Sequence, residues 1–370
     1  MISDLIQSGF AALNSNLNLK YRGDLMNKKM RNWTPPDHWH KITTIDAHTE
    51  GEPFRVITGG LPDLPGDSVL ARRRYMRKNL DHLRTALMWE PRGHADMYGC
   101  IITPPVSPEA DFGILFLHNE GYSSMCGHGI IGITHVAIET GMIPAVAPET
   151  VVKIDAPAGL VTAHARIENN HVKSVYFHNV PSFVLALDEI IEVPGVGQVR
   201  YDIAYGGAFY AFVRAADVGL RTTPDDFSAI IQTGMAIKKA IMENRPIPHP
   251  FEEDLSFLYG TIFIGPAHSE NTHSSNVCVF AEGEVDRCPT GTGVSARLAI
   301  HHARGEIQID KQITIESIIS TRFTGRVVRT TRFGPHEAII PEVEGTARIT
   351  GRNEFLIDPE DPLRDGFVLR

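Results

Sequence analysis

Short β-branched and aromatic runs, each broken by Gly, Pro, Asn or Asp, recur along most of the chain and predict strands. The first covers residues 42–45, followed by 101–103, 112–117, 151–154 and 172–177. A second set follows at 203–205, 209–213, 261–264, 277–280, 313–315 and 326–329. Apolar positions at helical spacing are fewer and predict helices over 69–87, 130–140, 225–244 and 294–304. More strand than helix, interleaved throughout, predicts an α/β (α+β) protein. Residues 1–40 lack such a pattern and are expected to be a peripheral extension. The Pro-, Gly- and acid-rich stretch 185–200 reads as a crossing between domains. The expected organisation is therefore 1–40, a first domain over 41–196, and a second over 197–345, with the final strand region 346–370 returning to the first domain.

Two glycine-rich segments interrupt this pattern in the same way. Met125-Cys126-Gly127-His128-Gly129-Ile130 opens a predicted helix that closes at Gly141. Pro289-Thr290-Gly291-Thr292-Gly293-Val294 opens another that closes at Gly305. The offset between the two is 164 residues at both the opening and the close, as expected of two similar domains with matching helices. In the first helix Ile130, Ile131, Ile133, Val136, Ala137 and Ile138 leave no polar face, so the helix is expected in a core. Its N-terminus then needs a partner for unpaired N–H groups, and a bound anion satisfies them. A thiol at such a helix start is expected to have a lowered pKa.

The composition narrows the function. The chain has 370 residues, 42% of them hydrophobic, and a net charge of -9. A protein this acidic does not offer the basic face that nucleic acid requires, and no apolar run is long enough to span a bilayer. Four cysteines, Cys100, Cys126, Cys278 and Cys288, include no CxxC pair, and are read as reduced thiols in a cytoplasm. Met1 to Lys20 has no signal-peptide character, and a start at Met26 or Met30 would explain the polar N-terminal segment. Gly127-x-Gly129-x-x-Gly132 matches the dinucleotide fingerprint, but no strand leads straight into it and no βαβ unit follows. A Walker A loop, an HExxH motif and convincing metal spacing among the histidines are all lacking, so no metal and no cofactor are expected.

With two further stretches, these segments resemble the proline racemase family. Asp46-Ala47-His48-Thr49-Glu50-Gly51-Glu52-Pro53 is similar to its opening motif. Met125 to Gly129 and Asp286-Arg287-Cys288-Pro289-Thr290-Gly291-Thr292-Gly293 are similar to its two catalytic motifs. Ile349-Thr350-Gly351 through Asp358-Pro359 is similar to its close. The resemblance implies two similar domains, each a curved, mainly antiparallel sheet around a central helix, as in diaminopimelate epimerases, with the site in the cleft between them. It also implies a small amino acid as substrate and no cofactor, and it allows a homodimer, although no residue fixes the oligomeric state. Racemases of the family place one cysteine on each face of the substrate. Here the first is Cys126, but the second position holds Thr290, whose hydroxyl pKa is far too high for proton transfer near neutrality.

This Cys/Thr pairing is similar to the branch that dehydrates trans-3-hydroxy-L-proline. In that substrate the α-hydrogen and the 3-hydroxyl share one ring face, so a single base can start elimination. The expected roles are Cys126 as base, its thiol or a water as the acid that protonates the departing hydroxyl, and Gly127, His128, Gly291 and Thr292 around the carboxylate. By resemblance, Asp286 holds the ring nitrogen. Asp46, His48 and Glu52 are not taken as catalysts. Cys288, two positions before Thr290, would point the same way in an extended stretch. A racemase or 4-hydroxyproline epimerase therefore stands as the alternative, along with a non-catalytic binder of a proline-like ligand.

Overall fold

Parallel neighbours in a sheet need a crossover, usually helical, whereas antiparallel ones need only a turn. The distribution of helices here follows that rule. The structure, a computed structural model, describes residues 26–369; the first 25 residues of the expected extension lie outside the described residues. Eighteen strands join in one hydrogen-bonded sheet. In the first half, Glu52–Gly59 runs parallel to Tyr98–Thr103, which pairs antiparallel with Phe112–His118. Phe112–His118 carries the short Gly121–Ser123 antiparallel and Glu149–Ala156 parallel. Gly159–Glu168 and His171–His178 then add antiparallel strands in turn.

The second half repeats these steps in the same order. Phe209–Arg214 runs parallel to Leu258–Gly265, and Ser274–Phe280 follows antiparallel. That strand carries the short Glu284–Val285 antiparallel and Ile313–Glu316 parallel, and Arg322–Phe333 and His336–Gly345 add antiparallel strands. The helices fall at matching points. α1 (Val69–Asn79) and α2 (Asp81–Met88) fill the first parallel crossover of the first half, and α3 (Gly127–Glu139) fills its second. α4 (Phe227–Asn244) and α5 (Gly291–Ala303) do the same in the second half. The halves meet where His336–Gly345 pairs with both His171–His178 and Ser182–Val193.

α3 is the axis of the first half. Every residue from Gly127 to Ile138 is buried, and its isoleucines share one core with Val152, Ile154, Ala163, Ala165, Val175 and Phe177 of the surrounding strands. Burying one such side chain contributes about 1.5–3 kcal/mol, which offsets the three glycines and two histidines that a helix tolerates poorly. α5 is buried from Gly291 to Ile300 in the same way.

The structure redraws several predicted elements. The single helix expected over 69–87 is two, because Leu80 leaves helical geometry (φ -131°, ψ 16°) between them. Both central helices start at the glycines themselves, three residues before the predicted starts at 130 and 294. The stretch 185–200 is part of a β-hairpin, with Ser182–Val193 returning as Gly197–Tyr205. The division of the chain at 196/197 stays a proposal. Beyond the last repeat strand, the Thr346 hydroxyl donates to the Glu50 carboxylate at 2.6 Å and the Arg55 guanidinium lies 4.2 Å from the Phe355 ring centre. Residues Ile42–Phe355 with the described residues from Pro362 onward form one compact unit. The described residues up to Lys41 with Leu356–Asp361 form another, in which Trp33 packs edge-on against Trp39.

Candidate active site

The two central helices point their N-termini at one another. A Cβ on Gly127 would lie 2.9 Å from the Gly291 Cα, and one on Gly291 would lie 2.9 Å from the Gly127 Cα. Only glycine fits at either position, which is why the helix starts carry this poor helix former. The approach brings two sets of unpaired N–H groups and two positive helix ends to one place, an arrangement suited to an anion. All seven residues singled out from the sequence, Cys126, Gly127, His128, Asp286, Thr290, Gly291 and Thr292, line a single cavity at this junction.

Cys126 caps α3. Its backbone is extended (φ -147°, ψ 113°), and its sulfur accepts the Gly129 N–H at 3.2 Å. The His128 Nδ1 lies 3.1 Å from the same sulfur. The sequence position predicts a lowered thiol pKa. In the fold burial outweighs that and pushes the thiol well above its ordinary value, against hydrogen bonds from Tyr98 and the Gly129 N–H, with Asp286 and Glu52 adding to the rise. Burial also holds His128 neutral, lowering its pKa to about 4 despite the nearby Asp286. His128 is therefore a neutral hydrogen-bonding group rather than a cation beside the sulfur.

Thr290 stands at the matching position of α5. It makes no side-chain cap, and its backbone lies in the left-handed region at φ 66°. The hydroxyl instead donates to Asp286 Oδ2 at 2.8 Å, while Asp286 Oδ1 accepts the Cys288 N–H at 2.9 Å. The Thr292 hydroxyl lies 2.7 Å from the Tyr210 hydroxyl. Cys288 is fully buried and is not among the residues lining the cavity; its sulfur accepts the Thr290 N–H at 3.4 Å. Burial, then Asp286, raises its thiol pKa well above the ordinary value. Among the described residues, one group has atoms close enough to share a metal ion: His128, Asp286 and Cys288, within 4.8 Å of one another. Its two acidic members already serve the hydrogen bonds just described.

The opening motif braces the site. Asp46 pairs with Arg55 at 2.8 Å, and His48 Nδ1 accepts the Gly51 N–H at 3.1 Å. Glu52 Oε2 accepts the Arg287 N–H at 2.7 Å, tying the first half to the Asp286 segment. Burial and then Asp286 push the Glu52 pKa well up. Sequence reasoning missed Tyr98, Ser123, Tyr210 and Tyr259, all of which line the cavity. No local motif marks them. Each lies on or beside a strand, where an aromatic or hydroxyl residue reads as ordinary sheet packing.

The family model for proline racemase matches residues 44–368. The chain is 48% identical to a trans-3-hydroxy-L-proline dehydratase from Colwellia psychrerythraea, over 92% of this chain and 97% of that one. It is 44% identical to a 3-hydroxyproline 2-epimerase from Burkholderia multivorans, over 89% of this chain and 98% of that one. A hydroxyproline epimerase from Agrobacterium vitis, solved with bound trans-4-hydroxy-L-proline, superposes with a TM-score of 0.84 at 33% identity, covering 90% of this chain and 96% of that one. With the family model spanning nearly all of Ile42–Phe355, and with paired central helices and a cysteine at the first helix start, this chain belongs to the proline racemase family.

Proposed function

We propose that this protein is a hydro-lyase that converts trans-3-hydroxy-L-proline to pyrroline-2-carboxylate without a cofactor. The observation that carries the reading is the asymmetry of the two facing helix starts. One presents a cavity thiol, Cys126, and the other presents Thr290, with its hydroxyl committed to Asp286. Neither Cys288 nor Cys278, the two other thiols beside Thr290, lines the cavity. The relatives bearing the dehydratase name, among them the Colwellia protein at 48% identity, support the same choice.

The substrate carboxylate sits between the helix N-termini, where the N–H groups at Gly127, His128, Gly291 and Thr292 hold it and stabilise charge that develops on it. Asp286 receives the ring ammonium. Cys126 takes the α-proton as the thiolate, the form that the Gly129 N–H and Tyr98 favour against burial, and the resulting carbanion expels the 3-hydroxyl from the same ring face. The enamine product tautomerises to the cyclic imine. Four free cysteines support a reducing, cytoplasmic setting, and a small amino acid is the only partner the chemistry requires.

The test is proton NMR of the purified protein in deuterated water with trans-3-hydroxy-L-proline, L-proline and trans-4-hydroxy-L-proline. The expected outcome is conversion of the first to pyrroline-2-carboxylate with no inversion of the other two. The variant Cys126→Ala is expected to lower turnover by about 10²–10⁴-fold or more, the range for losing a positioned acid–base group. Inversion with α-deuteration of L-proline or trans-4-hydroxy-L-proline would instead assign the protein to the epimerases.

A further inference from the structure

Loss of a hydroxyl needs an acid as well as a base, because hydroxide leaves poorly unless it gains a proton as the C–O bond breaks. Cys126 alone would have to hold the α-proton and give it up to the departing oxygen at nearly the same moment. A second polar hydrogen beside the sulfur, on the face where the α-hydrogen and the 3-hydroxyl both lie, removes that conflict.

The cavity contains such a group. Tyr98 opens the strand Tyr98–Thr103, is 2% exposed, and lines the cavity with Cys126. Its ring is fixed from two sides, edge-on against His128 at 4.5 Å and stacked on His118 at 5.8 Å. Its hydroxyl interacts with the Cys126 thiol and with Ser123, and the Ser123 hydroxyl in turn lies 3.5 Å from that of Tyr259. The His128 Nδ1, 3.1 Å from the sulfur, belongs to a neutral ring assigned to the carboxylate end of the site, and the acidic and hydroxyl groups of the second helix start are committed elsewhere. Asp286 accepts hydrogen bonds at both oxygens, and the Thr290 hydroxyl donates to it.

We propose that Tyr98 is the acid of the reaction, protonating the departing 3-hydroxyl and recovering its proton from Cys126. This rests on the dehydratase reading. The Cα–H bond breaks as the Cys126 S–H bond forms, leaving the electron pair on Cα. That pair becomes the C2=C3 bond as the C3–O bond breaks and the Tyr98 proton passes to the leaving oxygen, which departs as water. The Tyr98 phenolate then takes the proton from Cys126, restoring phenol and thiolate. The hydrogen and the hydroxyl lost by the substrate make the one water released, and the enzyme returns to its starting state with no outside acid or base. Burial, then the neighbouring Cys126, raises the phenol pKa well above its ordinary value. The group is therefore held as a neutral donor, and its anion is short-lived.

A substrate whose leaving group needs no proton separates this role from a structural one. Purified wild type, Tyr98→Phe and Cys126→Ala are compared on trans-3-hydroxy-L-proline and on trans-3-chloro-L-proline, which loses chloride unaided. The expected result is that Tyr98→Phe lowers water elimination by about 100-fold or more, within the usual range for a general acid, while chloride elimination falls far less, only as far as loss of the phenol disfavours the Cys126 thiolate. Cys126→Ala loses both. Water elimination left intact in Tyr98→Phe, or both eliminations falling together in a folded variant, would overturn the proposal. Wild type that fails to consume the hydroxy substrate at all would instead overturn the dehydratase reading. Should Tyr98→Phe fail to fold, 3-fluorotyrosine at position 98 decides. Its more acidic phenol should change the rate of water elimination and leave chloride elimination alone, and unchanged water elimination would count against Tyr98.

Discussion

Thr290 occupies a backbone conformation that a β-branched residue rarely adopts, at φ 66°, and such a position costs about 1–3 kcal/mol. Its bond to Asp286 and the Cys288 sulfur acceptor behind its N–H hold it there. Replacing the hydroxyl with a thiol at the same place puts a second acid opposite Cys126. Thr290→Cys is therefore expected to add α-deuteration with inversion of L-proline, visible by NMR in deuterated water, while Cys288→Ser is expected to keep turnover within about threefold of wild type because that sulfur does not line the cavity. His128 makes a further prediction. With its pKa lowered to about 4 by burial, the folded protein binds fewer protons at this site than the unfolded chain between pH about 4 and the ordinary value of about 6.5. Stability from this group is thus complete above that window and is lost as pH falls through it. The melting temperature of His128→Gln should accordingly fall less steeply on acidification than that of wild type. At this scale the sequence was legible where a motif concentrates chemistry. Cys126, His128 and Thr290 were readable because glycines and a helix start mark them, whereas Asp286 was named only through the family resemblance. Tyr98 was not, since a tyrosine opening a strand carries no local sign of the sulfur it meets. The direction of the Cys126 pKa was also misread, because depth of burial depends on neighbours far away in the chain.

The central helices show why element boundaries are harder to read than element existence. α3 and α5 were visible as apolar, helix-spaced runs, yet both starts were placed late. Glycine is a poor helix former, and its presence at Gly127 and Gly291 is explained only by the opposite helix, which no local pattern reveals. The strands Gly159–Glu168 and Ser182–Val193 were missed for the complementary reason. Each exposes polar positions, and in Ser182–Val193 the acidic residues Asp188, Glu189 and Glu192 resemble loop composition. Asp188 has φ 55°, and its N–H bonds to Asp202 across the hairpin, so tertiary pairing overrides the turn signal there. For α3, burial on all sides implies low tolerance to truncation. Ile131 is fully buried, and Ile131→Ala is expected to destabilise the protein by about 2–5 kcal/mol in a urea or guanidinium titration. The same change on an exposed face would cost far less.

Across the whole molecule, the order of strand pairings in the first half recurs in the second, with the central helices offset by 164 residues at their first positions, Gly127 and Gly291. That equal offset was the sign of the repeat readable in the sequence, whereas the pairing order was not, because parallel partners are distant along the chain. The close approach of the two glycines joins the halves and shapes the cavity together, so Gly127→Ala should affect both at once. A methyl group 2.9 Å from the Gly291 Cα forces the helix starts apart. A lower melting temperature together with a raised KM is the expected result, and a variant matching wild type in both would show that the helix starts can separate without consequence. The repeat also sets a limit on symmetric ancestry for this chemistry. Two identical copies of a half-length chain would necessarily carry the same residue at both helix starts, either two thiols or two hydroxyls. A thiol facing a hydroxyl becomes available only once both halves share one polypeptide and each can change alone. One-sided chemistry on a ring with two faces is thus a property of the covalent fusion itself.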